Sequence, residues 1–401
     1  MTSVEVKKPP FLILMSLSAI GPFAMNIFTP SMPSMMSVFN VNYDRVQFTL
    51  TLYLIALAIA QLFMGPLSDR FGRRPVALWG ILIFLAGSLI CVAAPDIFTL
   101  SLGRAIQAIG GCAGVVIART MVRDIYGTNK AAQMIAGLAL AMMIVPIVAP
   151  TLGGALDENF GWEASFYAVF TFAAFVFIAA CFYLKETHFN LHESISISHT
   201  LLGFHKLLGL LSFNKFAFQI SFSSAAFFAF VGGSPYVVIE LMEQSPTEYG
   251  LYFMAVGAAY MLGNFITTRA SASWGINHLI NLGVYIATTG GIFLMICYLT
   301  DNLNPLTLYS AMAIIAFANG LSIPTSIAGA ISADVERIGA SAGLVGFLQI
   351  AAGASASYIV GNMLNESAAP LVFVMFGSVI LAFSCYKLTE FLEKQSKPKA
   401  T

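Results

Sequence analysis

Gly65-Pro66-Leu67-Ser68-Asp69-Arg70-Phe71-Gly72-Arg73-Arg74-Pro75 separates two apolar runs, Gln47 to Met64 and Val76 to Ala94. The hydrocarbon core of a bilayer is about 30 Å thick, and about 20 helical residues rising 1.5 Å each cover it. Each run is long enough to cross. A short segment with three arginines and one aspartate between two crossings lies at the membrane surface. Its two glycines, Gly65 and Gly72, permit a turn tight enough to set adjacent helices side by side, and its positive charge predicts the cytoplasmic face. A basic anchor loop of any multispan protein accounts for the arginines. It does not account for Asp69 and both glycines at this spacing.

Composition extends this reading to the whole chain. Of 401 residues 58% are apolar and 9% charged, where a soluble domain carries about 25% charged residues. Too little polar surface remains to cover a water-soluble globule, so the chain is read as all-α integral membrane protein in contact with the lipid bilayer. Formal charge is zero and the basic residues are scattered, which gives no indication of a nucleic-acid partner. The five cysteines, Cys91, Cys112, Cys181, Cys297 and Cys385, fall in apolar runs without a CxxC pair; they read as packing residues rather than as disulfides or zinc ligands. Lys7 and Lys8 ahead of an apolar run imitate a signal peptide, but the run continues to about Pro33 without a cleavage site, so it reads as the first span.

Apolar windows predict twelve spans near 11–33, 47–67, 75–94, 97–120, 131–156, 163–184, 216–240, 247–270, 277–299, 305–327, 338–363 and 367–389. The longest interruption divides six from six, giving an expected amino-terminal lobe at 1–184, a cytoplasmic central loop at 185–215 and a carboxy-terminal lobe with a cytoplasmic tail at 216–401. With the amino terminus inside, 17 of the 19 basic residues fall on the cytoplasmic side. Arg45 lies outside and Arg104 is intramembrane. The positive-inside rule therefore predicts both termini in the cytoplasm. The central loop holds His188, His192, His199 and His205. Their spacing fits none of the tight metal-ligand motifs, and a solvated loop with an amphipathic piece over Leu201 to Leu211 is expected instead. No metal and no cofactor are expected.

Gly65-x-x-x-Asp69-Arg70-x-Gly72-Arg73-Arg74 after the second span resembles the signature loop of the major facilitator superfamily, and the match is complete at those positions. The resemblance implies a major facilitator fold: twelve helices in two pseudo-symmetric six-helix lobes that rock about a substrate site between them. It further implies gating by Gly65, Asp69, Arg70, Gly72, Arg73, Arg74 and Asp124. In that scheme Asp69 latches onto the start of the eleventh span near Gly339 and Ser341, and Arg73 pairs with Asp124. The loop from Arg269 to His278, the counterpart in the second half, has lost the signature, so gating there is expected to be weaker.

Arg104 is the charged side chain well inside a predicted span. A buried guanidinium is expensive, which makes it a functional candidate; the alternative is that it binds backbone carbonyls of the first span and locks two helices together. Arg104-Ala-Ile-Gln107-Ala-Ile-Gly110-Gly111 resembles the superfamily's fourth-helix motif, with Ala108 in place of a glycine. In the fifth span Pro146-Ile-Val-Ala149-Pro150-Thr-Leu-Gly153-Gly154 resembles the antiporter motif of drug exporters, with Ala149 in place of its first glycine. Prolines kink the helix, and paired glycines let neighbours approach closely.

The first span, Gly21-Pro22-Phe-Ala-Met-Asn26-Ile-Phe-Thr29-Pro30-Ser-Met-Pro33, is similar to that of the bicyclomycin/chloramphenicol-resistance (Bcr/CflA) branch of drug/proton antiporters. Arg123-Asp124 and Gly232-Gly-Ser-Pro235-Tyr236 fit the same branch. The branch implies a proton-coupled exporter of drugs or small amphiphilic metabolites in the bacterial inner membrane, expected to be monomeric. It usually carries an aspartate where this chain has Asn26, and an amide cannot take and release a proton. No carboxylate lies near a predicted span centre; Asp157, Glu158, Glu163 and Glu240 sit at span ends. Arg104 without an intramembrane carboxylate predicts a positive cavity and a preference for anionic or zwitterionic substrates.

The substrate and coupling positions expected on the family's cavity-lining helices are Asn26, Tyr53, Gln61, Arg104, Gln107, Gln219, Tyr236, Tyr260, Asn264, Asn319 and Gln349. An importer, or a metabolite or siderophore transporter on the same fold, is the second reading. An enzyme is disfavoured because no His/Asp/Glu cluster converges within the spans, and a primary pump because there is no phosphate-binding loop.

Overall fold

The computed structural model describes residues 9–189, 197–334 and 337–396. Among these, twelve helical segments are long and apolar enough to cross a membrane. Spans 1 to 6 are Phe11–Phe39, Tyr43–Phe71, Arg73–Val92, Ile97–Tyr126, Gly137–Phe160 and Glu163–Tyr183. Spans 7 to 12 are Leu211–Leu241, Pro246–Trp274, Ile276–Leu299, Pro305–Ser332, Ala340–Met363 and Ala369–Glu393. The chain forms two compact units, Met1–Ile195 with Ser245–Gly250, and Ser196–Gln244 with Leu251–Thr401.

In the first unit span 4 is the inner helix, packed on spans 1, 2 and 3. Small residues allow this: a methyl group on Gly110 would fall 2.4 Å from the backbone nitrogen of Phe84, and one on Gly114 would fall 2.3 Å from Leu17 O. Without a hydrophobic drive between helices in lipid, such close backbone approach supplies the dispersion contact that holds them. Helical hydrogen bonding runs unbroken from Ile97 to Phe160, 64 residues. The chain nonetheless reverses within that stretch. Gly111 lies against Gly21, and Gly153 against Ile27 O. In a straight helix Gly111 and Gly153 would be about 63 Å apart, whereas Gly21 and Ile27 are separated by about 9 Å of rise. Spans 4 and 5 are thus antiparallel to each other and both pack on span 1, joined by a helical bend where the sequence predicts a loop.

Two other boundaries differ from expectation. The helix of span 2 continues through Gly65 to Phe71, and the turn is made by Gly72 alone, at φ 94° and ψ 156°. Gly65 has open space around it, and the helical ladder carries past it to the bond from Gly72 N to Ser68 O, 3.1 Å. At the start of span 7, Lys215, expected in the central loop, stands one turn inside a helix that begins at Leu211. It is 6% exposed. Glu393 at 3.1 Å and the ring faces of Phe216 and Tyr386, each at 5.2 Å, replace the water it has lost.

Span 7 is the inner helix of the second unit, packed on spans 10, 11 and 12. Phe213, Phe216, Ala217 and Ile220 form a core with Ile280, Val284 and Tyr386. Beyond Pro235 the helix widens into a π-helical stretch, Tyr236–Leu241; the missing proline N–H loosens the ladder there. The amphipathic piece of the central segment is the helix Ile197–Leu208. His192 lies outside the described residues, and no metal-binding group of His, Cys, Asp and Glu occurs among those described.

Candidate functional site

Gly72 ends one helix and begins the next, so the unpaired N–H groups at the start of span 3, those of Arg73 and Arg74 among them, must find acceptors. Glu186, just beyond span 6, supplies them. Its Oε1 accepts from Arg73 N and its Oε2 from Arg74 N, both at 3.0 Å. Oε1 also accepts from Thr187 N and His188 N at 2.9 Å. A carboxylate at a helix amino terminus is favoured by the macrodipole as well. Arg74 completes the staple, donating from Nε to Leu184 O at 2.8 Å and from Nη2 to Cys181 O at 3.0 Å.

Arg73 turns the other way and is 2% exposed. Its Nη1 meets Asp69 Oδ1 at 2.6 Å, its Nε meets Asp124 Oδ2 at 3.0 Å, and it donates to the Ser68 hydroxyl. From the start of span 3 the guanidinium ties the end of span 2 to the end of span 4, Asp124 lying 51 residues along the chain from Arg73. Arg70 is exposed beside the ring of Phe71, outside this network. Gly65 takes no part in the turn.

The second centre is Arg104, completely enclosed. Its Nη1 donates to Ala24 O of span 1 at 3.1 Å and to Gln107 Oε1 at 2.5 Å. Gln107 passes the chain to the Ser88 hydroxyl at 2.9 Å, and Ser88 to Phe84 O at 2.8 Å. The guanidinium carbon stands 4.3 Å from the ring centre of Tyr53 and 4.5 Å from that of Phe28. Aromatic faces of this kind stabilise a desolvated cation by about 2 kcal/mol. Tyr53 is held in turn by Gly21 O at 2.9 Å. No carboxylate pairs with Arg104 among the described residues, and its Nε and Nη2 have no hydrogen-bond partner. Asn26 is also enclosed; its Nδ2 donates to Pro22 O at 2.8 Å and its Oδ1 has no partner. Gln61 is half-buried with its Oε1 unpartnered. Arg104 therefore locks span 4 to span 1 and still holds two unsatisfied donors.

Span 5 explains its glycines by contact. A methyl on Gly153 would lie 1.8 Å from Ile27 O, and one on Gly154 would lie 2.1 Å from Pro246 O. Pro150 is buried and Pro146 half-buried on the same helix. At its end, Glu158 accepts from the Thr247 backbone N–H at 2.9 Å and from the Thr247 hydroxyl at 2.8 Å, while Asp157 meets Ser34 at 3.0 Å.

In the second unit Gln219 donates to the Ser223 hydroxyl at 2.9 Å, and Asn319 to Ser223 O at 3.3 Å. Asn264 is turned to Tyr260 O at 3.1 Å. Gln219 and Asn319 are buried with an unpartnered side-chain oxygen each. Tyr236, Tyr260 and Gln349 are half-buried, with Tyr236 at the start of the π-helical stretch. The expected substrate positions of this unit are neutral amides and phenols, where those of the first unit include the Arg104 cation.

A sequence profile described as Major Facilitator Superfamily matches residues 14–357. The chain belongs to this superfamily. It is 26% identical over 390 residues to the bicyclomycin resistance protein homolog of Haemophilus influenzae, covering 95% of this chain and 96% of that one. It is 28% identical over 338 residues to multidrug resistance protein D of Escherichia coli, covering 84% of each. Among solved structures it superposes on a peptide transporter in complex with alafosfalin with a TM-score of 0.77 at 12% identity, covering 97% of this chain and 96% of that one. It also superposes on a bacterial homolog of the lysosomal transporter Spinster with a TM-score of 0.75 at 14% identity, covering 98% of each. The protein is a twelve-span membrane transporter, not an enzyme.

Within this superfamily fold, sequence reasoning missed Glu186. The sequence places Lys185-Glu186-Thr187 in a solvated loop; the helix start that Glu186 caps lies about 110 residues away along the chain, out of reach of any local signal. Ser34, at the end of span 1 against Asp157, belongs to none of the motifs quoted above.

Proposed function

We propose that this transporter exports small amphiphilic compounds, antibiotics among them, by alternating access and in exchange for protons. The observation that carries this reading is similarity along 95% of the chain to a protein named for bicyclomycin resistance. The tightly packed Pro150-x-x-Gly153-Gly154 segment of span 5 agrees with it. The moving parts would be the lobes 1–184 and 216–401, with 185–215 as their cytoplasmic connection and the Gly72 cluster as the gate. A bacterial inner membrane fits the relatives. Cytoplasmic termini follow from the placement of the basic residues, and a monomer is the expected working unit.

The two free donors of Arg104, in a polar set otherwise made of amides and tyrosines, favour anionic or zwitterionic substrates over lipophilic cations. Energised cells producing the protein should accumulate less labelled bicyclomycin than control cells, with the difference abolished by a protonophore. Equal accumulation in the two would defeat the reading. Export of ethidium from everted vesicles at the rate of a carboxylate-bearing antibiotic would defeat the charge preference alone.

A further inference from the structure

Span 4 carries two further cations that the clusters around Gly72 and Arg104 do not use. The apolar pattern ends near residue 120, which puts Arg119 at the edge of the span read from sequence. In the structure the helix runs on to Tyr126, so Arg119 stands about 10 Å of helical rise short of its end. It is exposed, and its Nη2 is 3.6 Å from the Met142 sulfur, a weak acceptor. Arg123, one turn further on, is also exposed and forms no hydrogen bond or ion pair among the described residues.

A guanidinium inside a membrane-spanning helix is stabilised by a carboxylate of the protein, by backbone carbonyls, or by water or an anion that reaches it. The chain supplies Arg119 and Arg123 with no carboxylate. From Ile97 to Leu156 the one acidic residue is Asp124, and it is turned to Arg73 at 3.0 Å. Like charges one turn apart on a helix repel, which adds to the cost of leaving either one unneutralised. The fold itself does not call for charge in such a helix: span 10, Pro305–Ser332, has none along its whole length. Arginine, moreover, is the side chain whose planar fork takes a carboxylate, sulfonate or phosphate through two parallel bonds.

We infer that Arg119 and Arg123 form a docking site for the anionic group of the substrate, at the Gly72 end of span 4 and about 22 Å along the helix from Arg104. Arg104 is fully enclosed, whereas these two are open to an approaching anion. The docking site rests on the anionic preference proposed above and adds where that charge is first met.

Binding, rather than transport, tests it. The purified full-length protein in neutral detergent is offered two probes of one shape, 1-naphthylacetate and the uncharged 1-naphthylacetamide, by equilibrium dialysis. Wild type should hold the carboxylate more tightly than the amide. Arg119→Gln should weaken carboxylate binding about tenfold, the worth of one charge-assisted hydrogen bond, and leave the amide unmoved; Arg119→Lys should recover most of the loss. Should Arg119→Gln fail to fold, Arg123→Gln carries the same expectation from an exposed position.

A wild type that prefers the carboxylate while the glutamine variants keep its full affinity would overturn the site and leave the anionic preference standing. A wild type that binds both probes equally, or neither, would overturn the preference and the site together. The competing occupant is a lipid headgroup phosphate reached by the arginine stems. In that case added phosphatidylglycerol would raise the melting temperature of wild type and not of Arg119→Gln, with carboxylate affinity the same in both proteins, and the docking site would fall. None of these readings depends on bicyclomycin export, so a failure of export would leave them as measured.

Discussion

The turns after span 2 and after span 8 have the same backbone and opposite chemistry. Gly72 sits at φ 94° and ψ 156°, Gly275 at φ 76° and ψ 154°. Each N–H bonds to the carbonyl of a serine four residues earlier at 3.1 Å, Ser68 in one case and Ser271 in the other. Each glycine is the last residue of one helical run and the cap of the next. Around Gly72 stand Arg73, Asp69, Asp124 and Glu186. Around Gly275 there is nothing within 4 Å of where a side chain would begin, and Arg269 rests on the ring of Phe265 at 4.9 Å. The helix-to-helix turn is a matter of backbone conformation, satisfied by a glycine. The ionic cluster is a separate addition, made by partners from other helices, and among the described residues it stands at Gly72 and not at Gly275.

The comparison predicts a graded series of losses in thermal stability of the detergent-purified protein. Arg73→Ala should cost most, toward about 3 kcal/mol: it strands the largely buried Asp124, while the half-exposed Asp69 is screened by water. A loss as small as that of an ordinary surface substitution would mean that the cluster does not hold spans 2 and 4 together. Gly72→Ala and Gly275→Ala both force an L-residue into a region open almost only to glycine, a strain of about 1–3 kcal/mol. At position 72 the new methyl also meets Glu186 Oε2 at 2.6 Å, so Gly72→Ala should unfold at the lower temperature of the two. Equal melting temperatures would show that Glu186 yields freely.

Glu186→Ala uncaps the start of span 3 and should cost about 1–2 kcal/mol, the usual range for a lost helix cap; no change would assign its contacts to water. Arg269→Ala, on the side without a cluster, should stay within about 0.5 kcal/mol. A larger loss would reveal a role for the second turn that its exposed, unpaired setting does not suggest.

Much of this was legible beforehand. Twelve apolar runs, the charge sorting and the residues at 65–75 led to the fold, because lipid requires every spanning segment to satisfy its own backbone. The fifth-span glycines were legible as points of close approach, since only glycine admits a carbonyl such as Ile27 O so near. Arg104 was legible as exceptional, but not in its balance of roles. That depends on which rings and carbonyls surround it: Ala24 O and Phe28 of span 1, Tyr53 of span 2 and, at 5.8 Å, Phe166 of span 6. Sequence alone makes the turn two glycines wide, because nothing local distinguishes a glycine that breaks a helix from one that rides inside it.

From sequence alone came the crossing segments, their number and the stretch that marks the family, all of which depend on residue type and spacing along the chain. Tertiary structure decided which polar groups are satisfied: Glu186 on the start of span 3, Arg104 against Ala24 O, Ser34 between Ser31 and Asp157. Such pairings depend on ångström-scale distances between residues up to about 120 positions apart. A hydrogen bond fades within a fraction of an ångström, a precision that hydrophobic periodicity does not encode.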